Sequence, residues 1–252
     1  MNSSFLNYKF LHRLLRGESR LESSSNGKII GTDIAIETAL EALIDLVFEP
    51  DSVNVLNTSL LTHQVESYGS QIDLLLFIQN RYNELTNGGI WINHDFVAPE
   101  NKDEVVFLWL NDKDGNNHPD TMIKDTSTYA RYLHFIRQFR HKNGQAIIQD
   151  MIEVGGNKYA CLSLQDACEF MLKKDNVDNW RSEIQQNYCI ETFGDWQKTL
   201  QNADFKVLPH SKTYRNDWMI KKHWQGKVAL FDESFKPMEF PETHAIILAE
   251  KS

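Results

Sequence analysis

Three short stretches carry side chains whose type and position suit chemistry. His63 stands four residues after Ser59, just past the run Val53–Leu61, whose far end turns polar at Asn57, Thr58 and Ser59. His94 and Asp95 follow a second apolar run, Ile90–Ile92. An imidazole at the carboxyl end of a strand suits general-base work on an oxygen or nitrogen, because histidine titrates near neutrality. The third stretch is 28–35, Lys-Ile-Ile-Gly-Thr-Asp-Ile-Ala. A carboxylate such as Asp33, at the end of a parallel strand, can accept both hydroxyls of a ribose. Each has a plainer reading: surface loop residues for the histidines, and a helix cap or turn former for Asp33. No His-x-x-x-His, His-Glu-x-x-His or acidic calcium loop occurs, so no metal site is expected. No Gly-x-Ser-x-Gly or Walker-type loop occurs either, which removes the commonest hydrolase and nucleotide triphosphatase chemistries.

The elements that must position these groups follow from periodicity. Residues 28–35 and 53–61 read as strands, 36–46 as helix-prone, and 48–52 as a turn, because Pro50 excludes a central strand. Ser70–Leu85 has a helical pattern (Ile72, Leu75, Leu76, Ile78, Tyr82, Leu85), with Gly88 and Gly89 expected as its C-terminal cap before the strand at Ile90. Strand, helix and strand in succession give a parallel βαβ crossover, and the carboxyl edge of such a sheet is where ligands sit. Further on, Val105–Leu110 reads as a short helix or an edge strand, and 111–120 as loop. Helices are expected over 127–139, 164–172 and 194–200, the first preceded by Asp125-Thr126-Ser127 as caps and the second opened by Ser163 with Asp166 in the manner of a capping box. Phe5, Leu6, Phe10, Leu11, Leu14 and Leu15 gather on one helical face of an acid-poor start. That face suits a packing helix better than a transit peptide or membrane-surface helix.

Several of these stretches together resemble class I S-adenosylmethionine-dependent methyltransferases. Asp33, after Lys-Ile-Ile-Gly-Thr, looks like the ribose-binding acid of that family, with Ile34 beside it. Asp45-Leu46 is similar to the acid and following backbone amide that meet the adenine. Asn57-Thr58-Ser59 matches the end of the fourth strand, where cofactor and substrate meet, and Leu85–Ile90 (Leu-Thr-Asn-Gly-Gly-Ile) resembles the entry to the fifth. Residues 205–209 and 243–251 look like the antiparallel sixth and seventh strands. The resemblance covers 28–99 and 191–251. It lacks the family's glycine-rich first loop, and Asp33 and Asp45 are too close in sequence for a helix plus another strand between them.

The expected fold is therefore α/β: a Rossmann-like methyltransferase sheet, incomplete at the N-terminus, with a helical insert and a C-terminal antiparallel hairpin. Residues 1–99 form the first part of that domain, 100–190 a mainly helical insert or cap, and 191–252 the strands that complete the sheet. The resemblance implies S-adenosylmethionine as cofactor, a small-molecule methyl acceptor, and His63 or His94 as the base. Asp33, Ile34, Asp45, Leu46, Asn57, Thr58 and Ser59 would then line the cofactor. A non-catalytic or truncated relative serving as a binding or dimerisation module, and a different Rossmann-type enzyme, stay open beside this reading.

Composition narrows the partners. With 26 basic against 35 acidic residues the formal charge is −9, which disfavours non-specific nucleic-acid binding. Lys221 and Lys222 could form a local basic patch, but a solvated face explains them as well. Trp218, Trp224 and Phe231 form an aromatic run next to Asp217, Asp232 and Glu233, acids that argue against a nucleic-acid stacking platform. Cys161, Cys168 and Cys189 lack Cys-x-x-Cys spacing, so reduced thiols in a cytoplasmic protein are expected. No membrane span is expected, and a homodimer remains open.

Overall fold

The structure, a computed structural model, describes residue 40 and residues 43–252. Asp33, Ile34 and the amphipathic segment 5–21 lie outside the described residues.

The first sheet is built on a parallel pair. Strand β1 (Val53–Ser59) lies beside β2 (Leu85–Phe96) in a register that sets Leu56 against Trp91, Thr58 against Asn93 and Ser59 against His94. Between them the chain forms α1 (Thr62–Tyr68) and α2 (Gln71–Glu84), the expected crossover. Helix α2 starts at a capping box in which Ser70 accepts from the Asp73 amide and the Asp73 carboxylate accepts from the Ser70 amide.

The register shifts between Val53 and Val55, and Gly88 sits opposite this irregularity with φ at 74°. Gly88 and Gly89 therefore lie within β2 rather than capping α2, which ends at Glu84. A bulge needs a residue free to take positive φ, and that is what the glycine supplies here.

The buried stripe of α2 also differs from expectation. It is Leu74, Phe77 and Ile78, with Arg81 and Glu84, whereas Ile72, Leu75 and Leu76 face outward.

Strand β10 (His244–Lys251) runs antiparallel to β2, and β6 (Phe205–Val207) and β7 (Lys212–Tyr214) both run antiparallel to β10. The antiparallel C-terminal hairpin forms as expected, with β7 as an addition. Helices α1 and α2, and the later helix α6 (Phe193–Asn202), pack on one face of this sheet. There Val65, Phe77, Ile78, Trp196 and Leu200 meet Leu56, Trp91, Ile247 and Ala249. This is an α/β sheet of Rossmann type with an antiparallel edge.

The other described strands build a second, wholly antiparallel sheet. Its strands are β3 (Val105–Leu110), β4 (Gln149–Val154), β5 (Asn157–Ser163), β8 (Val228–Phe231) and β9 (Pro237–Met238), in the order β4-β5-β3-β8-β9. Two expectations are corrected here. Val105–Leu110 is neither a helix nor an edge strand but the middle of a sheet, because Val106, Leu108 and Leu110 alternate into the core. The segment 100–190 is not mainly a helical cap: it supplies three strands, and β8 and β9 from the C-terminal part join them. Helices α3 (Thr128–Gln138) and α4 (Leu164–Lys173) cover the sheet, capped by Ser127 and Ser163, and bury Tyr132, Phe135, Phe170 and Met171 against it. Two short helical turns follow, α5 (Trp180–Glu183) and α7 (Asp217–Met219). Among the described residues no helix is long and apolar enough to cross a membrane.

Candidate functional site at the carboxyl edge of the parallel strands

Successive residues of β2 point to opposite faces, so its polar end serves two clusters. Asn93 and Asp95 face the helices; His94 faces the other way.

On the helix side Asp95 is the organising group. Its Oδ2 accepts from the Leu61 amide (2.9 Å), the Thr62 hydroxyl (2.6 Å) and the His63 amide (3.2 Å), and so fills the N-terminus of α1. Its Oδ1 accepts from the Phe96 amide (2.8 Å) and lies 2.6 Å from His63 Nδ1. Burial alone would push the Asp95 carboxyl up, but the His63 charge and the bonds from His63, Thr62 and Phe96 outweigh it and hold it below the usual range. His63 Nε2 lies 3.2 Å from Gln186 Oε1, and the ring is wedged edge-on between Phe96 and Tyr188. Only 3% of His63 is exposed. One turn on, Glu66 is buried, and burial first, then the charges of Asp95 and Glu191, raise its carboxyl well above the ordinary value. Thr58 belongs to the same interior network: it donates to Asn93 Oδ1 (2.9 Å) and accepts from Trp91 Nε1 (2.8 Å).

On the opposite face the parallel register brings Ser59 and His94 together, with Ser59 Oγ 3.1 Å from His94 Nδ1. The antiparallel strands add the rest. His94 Nε2 lies 2.6 Å from the Tyr214 hydroxyl, and the His244 ring packs against Phe96, His94 and Tyr214. Ser59 is exposed and His94 half-buried, so this cluster reaches solvent. Burial first, then the nearby His94 charge, lowers His244 to about 4, against a smaller opposing pull from Asp95. Burial raises the Tyr214 phenol. Both groups therefore stay neutral at pH 7. His94 is left with two hydroxyl neighbours, each able to donate or accept, which satisfies either tautomer.

The residues singled out in the sequence thus divide among three places. Asn57, Ser59 and His94 share one face at the carboxyl edge; Thr58 and His63 lie in the interior network behind it. Asp45 and Leu46 are elsewhere. The Asp45 carbonyl accepts from Arg81 (2.7 Å), and the amides of Val47 and Phe48 bond to Glu84, beside the start of β1. A seven-residue strand rising ~3.3 Å per residue sets that end ~20 Å from Ser59. The adenine role that the resemblance gives to Asp45 and Leu46 does not suit this placement, because a parallel sheet presents its ligand crevice at the other edge.

The side chains at this edge therefore suit S-adenosylmethionine in part. Asn57 and Ser59 offer exposed polar groups at the right edge. The amides at the N-terminus of α1 do not, since Asp95 already occupies them.

No family model and no curated protein matches the sequence. Comparison with solved structures finds distant likenesses. The YcgJ protein of Bacillus subtilis matches with a TM-score of 0.34 at 11% identity, over 90% of this chain and 80% of that one. An S-adenosylmethionine-dependent methyltransferase from Mesorhizobium loti matches with a TM-score of 0.36 at 13% identity, over 83% of this chain and 66% of that one. One from Methanosarcina mazei gives 0.33 at 10%, over 83% and 64%. The chain spans less than two thirds of the length of the last two.

Sequence reasoning missed Tyr214, His244, Gln186 and Tyr188. The segment 206–215 reads as extended, but nothing in it shows that Tyr214 lands opposite His244. That follows only from the register of an antiparallel strand.

Proposed function

We propose that the chain is an S-adenosylmethionine-dependent methyltransferase acting on a small-molecule acceptor, with His94 as the group that receives the acceptor's proton. The observation that carries this reading is the Ser59–His94–Tyr214 chain of contacts at the carboxyl edge of the parallel pair, open to solvent at Ser59.

When bound, the cofactor supplies an electrophilic methyl group on a sulfonium. Asn57 and Ser59 would line the junction between cofactor and acceptor, and Asp33 with Ile34 would meet the ribose. Ser59 holds the acceptor's oxygen or nitrogen by a hydrogen bond and passes its proton to His94 Nδ1, while His94 Nε2 donates to the Tyr214 oxygen. Tyr214 and the neutral His244 ring shield that imidazole from water on its far side. The acidic surface charge fits a small acceptor rather than nucleic acid. The Asp95–His63 pair serves as scaffold for α1 and β2.

A second reading, a non-catalytic methyltransferase-like binding module, is favoured by one observation: the α1 N-terminus is filled by Asp95 rather than left open to a ligand. Calorimetric titration with S-adenosylhomocysteine separates the two. Micromolar binding that Asp33→Ala abolishes supports the enzyme; a folded chain with no detectable binding rules it out and leaves the module.

A further inference from the structure

Away from that edge, beside the second sheet, an arginine, two lysines and a histidine converge on one carboxylate. Asp175 follows α4, and its Oδ1 lies 3.0 Å from Arg131 Nη1 and 3.3 Å from Lys227 Nζ. Its Oδ2 lies 2.6 Å from Lys174 Nζ and 3.2 Å from His223 Nδ1. Among the described residues no second carboxylate pairs with any of the four. With Lys174 protonated, Arg131, Lys174 and Lys227 share one anion, which leaves two positive charges in excess even with His223 neutral. In a chain whose net charge is −9 that local excess needs a reason.

The cluster is built rather than incidental. Lys174 has no exposed side-chain surface and also donates to the His223 carbonyl. Burial, together with the like charges of Lys227 and Arg131, lowers its ammonium to about 8 in spite of Asp175. Arg131 is 8% exposed, donates to the carbonyls of Lys174 (2.9 Å) and Thr126 (3.1 Å), and keeps a buried Nε with no hydrogen-bond partner. His223 is held by one turn of π-helix, Ile220–Trp224, a rare conformation that recurs at functional sites.

The outer side of the cluster is open. The side chains of Lys227 and His223 are 35% and 28% exposed, and Lys221 and Lys222 are exposed on the same turn. Beside them Trp218, 64% exposed, sets its ring 5.1 Å from the His223 ring at 64°. Asp217, adjacent in sequence, belongs to the short turn that carries Trp218 and forms no ion pair with the cluster. The solvated-face explanation accounts for Lys221 and Lys222, but not for cations buried at Lys174 and Arg131 that share the single carboxylate of Asp175. Bringing buried cations together is costly unless an anion completes them.

We propose that this cluster is a binding site for a phosphate monoester, the phosphoryl dianion seated on Lys227 and His223 over the Asp175 network and the organic body resting against Trp218. Two negative charges would neutralise the two left over, and a phosphoryl group accepts from several donors at once. An exposed indole gives an aromatic or apolar body a flat surface. The proposal uses no residue assigned to methyl transfer, so it stands or falls separately.

The test is calorimetric titration at low salt with phenyl phosphate, with inorganic phosphate and phenol as comparison arms. Phenyl phosphate is expected to bind in the micromolar to submillimolar range, at least tenfold tighter than either comparison arm, and to quench tryptophan fluorescence. Lys227→Gln, a surface change, should weaken it at least tenfold, and raising the salt should weaken it further. Trp218→Phe should keep binding while changing the fluorescence response, and Trp218→Ala should lower affinity several-fold. Equal affinity for inorganic and phenyl phosphate would overturn the role given to Trp218. Binding of neither, or binding that survives Lys227→Gln unchanged, would overturn the site.

Discussion

His244 is a histidine that the fold keeps uncharged, and that has a measurable cost in acid. Its value falls to about 4 in the folded state, against ~6.5 in an unfolded chain. Between those values the unfolded chain binds a proton that the folded chain refuses, so stability falls as pH drops from ~6.5 towards 4. The expected contribution is of order 2–3 kcal/mol. Glu66, raised by burial, works in the opposite direction over part of the same range, so the comparison must be made within one background. Thermal melts of the wild type and His244→Asn between pH 7 and 4.5 should show a steeper loss for the wild type; parallel curves would refute the assignment. Asp95 is the second residue with a large expected effect. Asp95→Asn removes the charge opposite His63 and one acceptor of a fully bonded carboxylate, and should cost ~3–5 kcal/mol in chemical denaturation.

Elements show where the sequence was informative and where packing decided. The helices entered through Ser127 and Ser163 were legible because capping is local chemistry: a side-chain oxygen three residues ahead of an orphan amide. The strands at 53–61 and at Ile90–Ile92 were legible because a short apolar run bounded by turn and polar residues is also a local signal, although the second extends further at both ends. The face of α2 was not. Ile72, Leu75 and Leu76 have helical spacing as good as that of Leu74, Phe77 and Ile78, and only contact with Trp91 and Phe205 on the sheet selects the second set. Phe77→Ala should therefore cost ~3–5 kcal/mol, whereas Ile72→Lys, at a side chain 75% exposed, should stay within about 0.5 kcal/mol. Equal effects in a urea series would place the core on the wrong side. The glycine pair misled for a related reason: a Gly-Gly after a helical pattern reads as a cap, yet Gly88 serves a bulge. Gly88→Ala, with φ at 74° and open space around a Cβ, should cost ~1 kcal/mol from backbone strain alone. Of the candidate site, Ser59 and His94 could be named beforehand, because each lies just past the apolar part of its own strand. Their contact depends on the register of two strands 35 residues apart, and the arrival of Tyr214 and His244 on strands more than a hundred residues further along the chain.

At the scale of the molecule, the two layers are joined through α4 and the segment after α5. Glu169, fully buried, accepts from the amides of Tyr188 (2.8 Å) and Cys189 (2.8 Å) and pairs with Lys173, whose ammonium lies over the Tyr188 ring. Tyr188 in turn stacks on Phe96 at the end of β2, 4.3 Å between centroids, and borders His63. One buried carboxylate thus anchors the second layer to the edge of the first.

Both sheets are also completed late in the chain. Strand β10 occupies an inner position between β2 and the β6/β7 pair, and β8 an inner position beside β3. On a ribosome adding ~5–20 residues per second, roughly 150 residues separate the emergence of β2 from that of β10, an interval of ~7–30 s. Throughout it Ile90, Ile92 and the backbone groups of that strand have no neighbour on one side, and such an open edge readily pairs with the wrong strand. The nascent chain is therefore most vulnerable to misassembly at the strand that later carries His94 and Asp95.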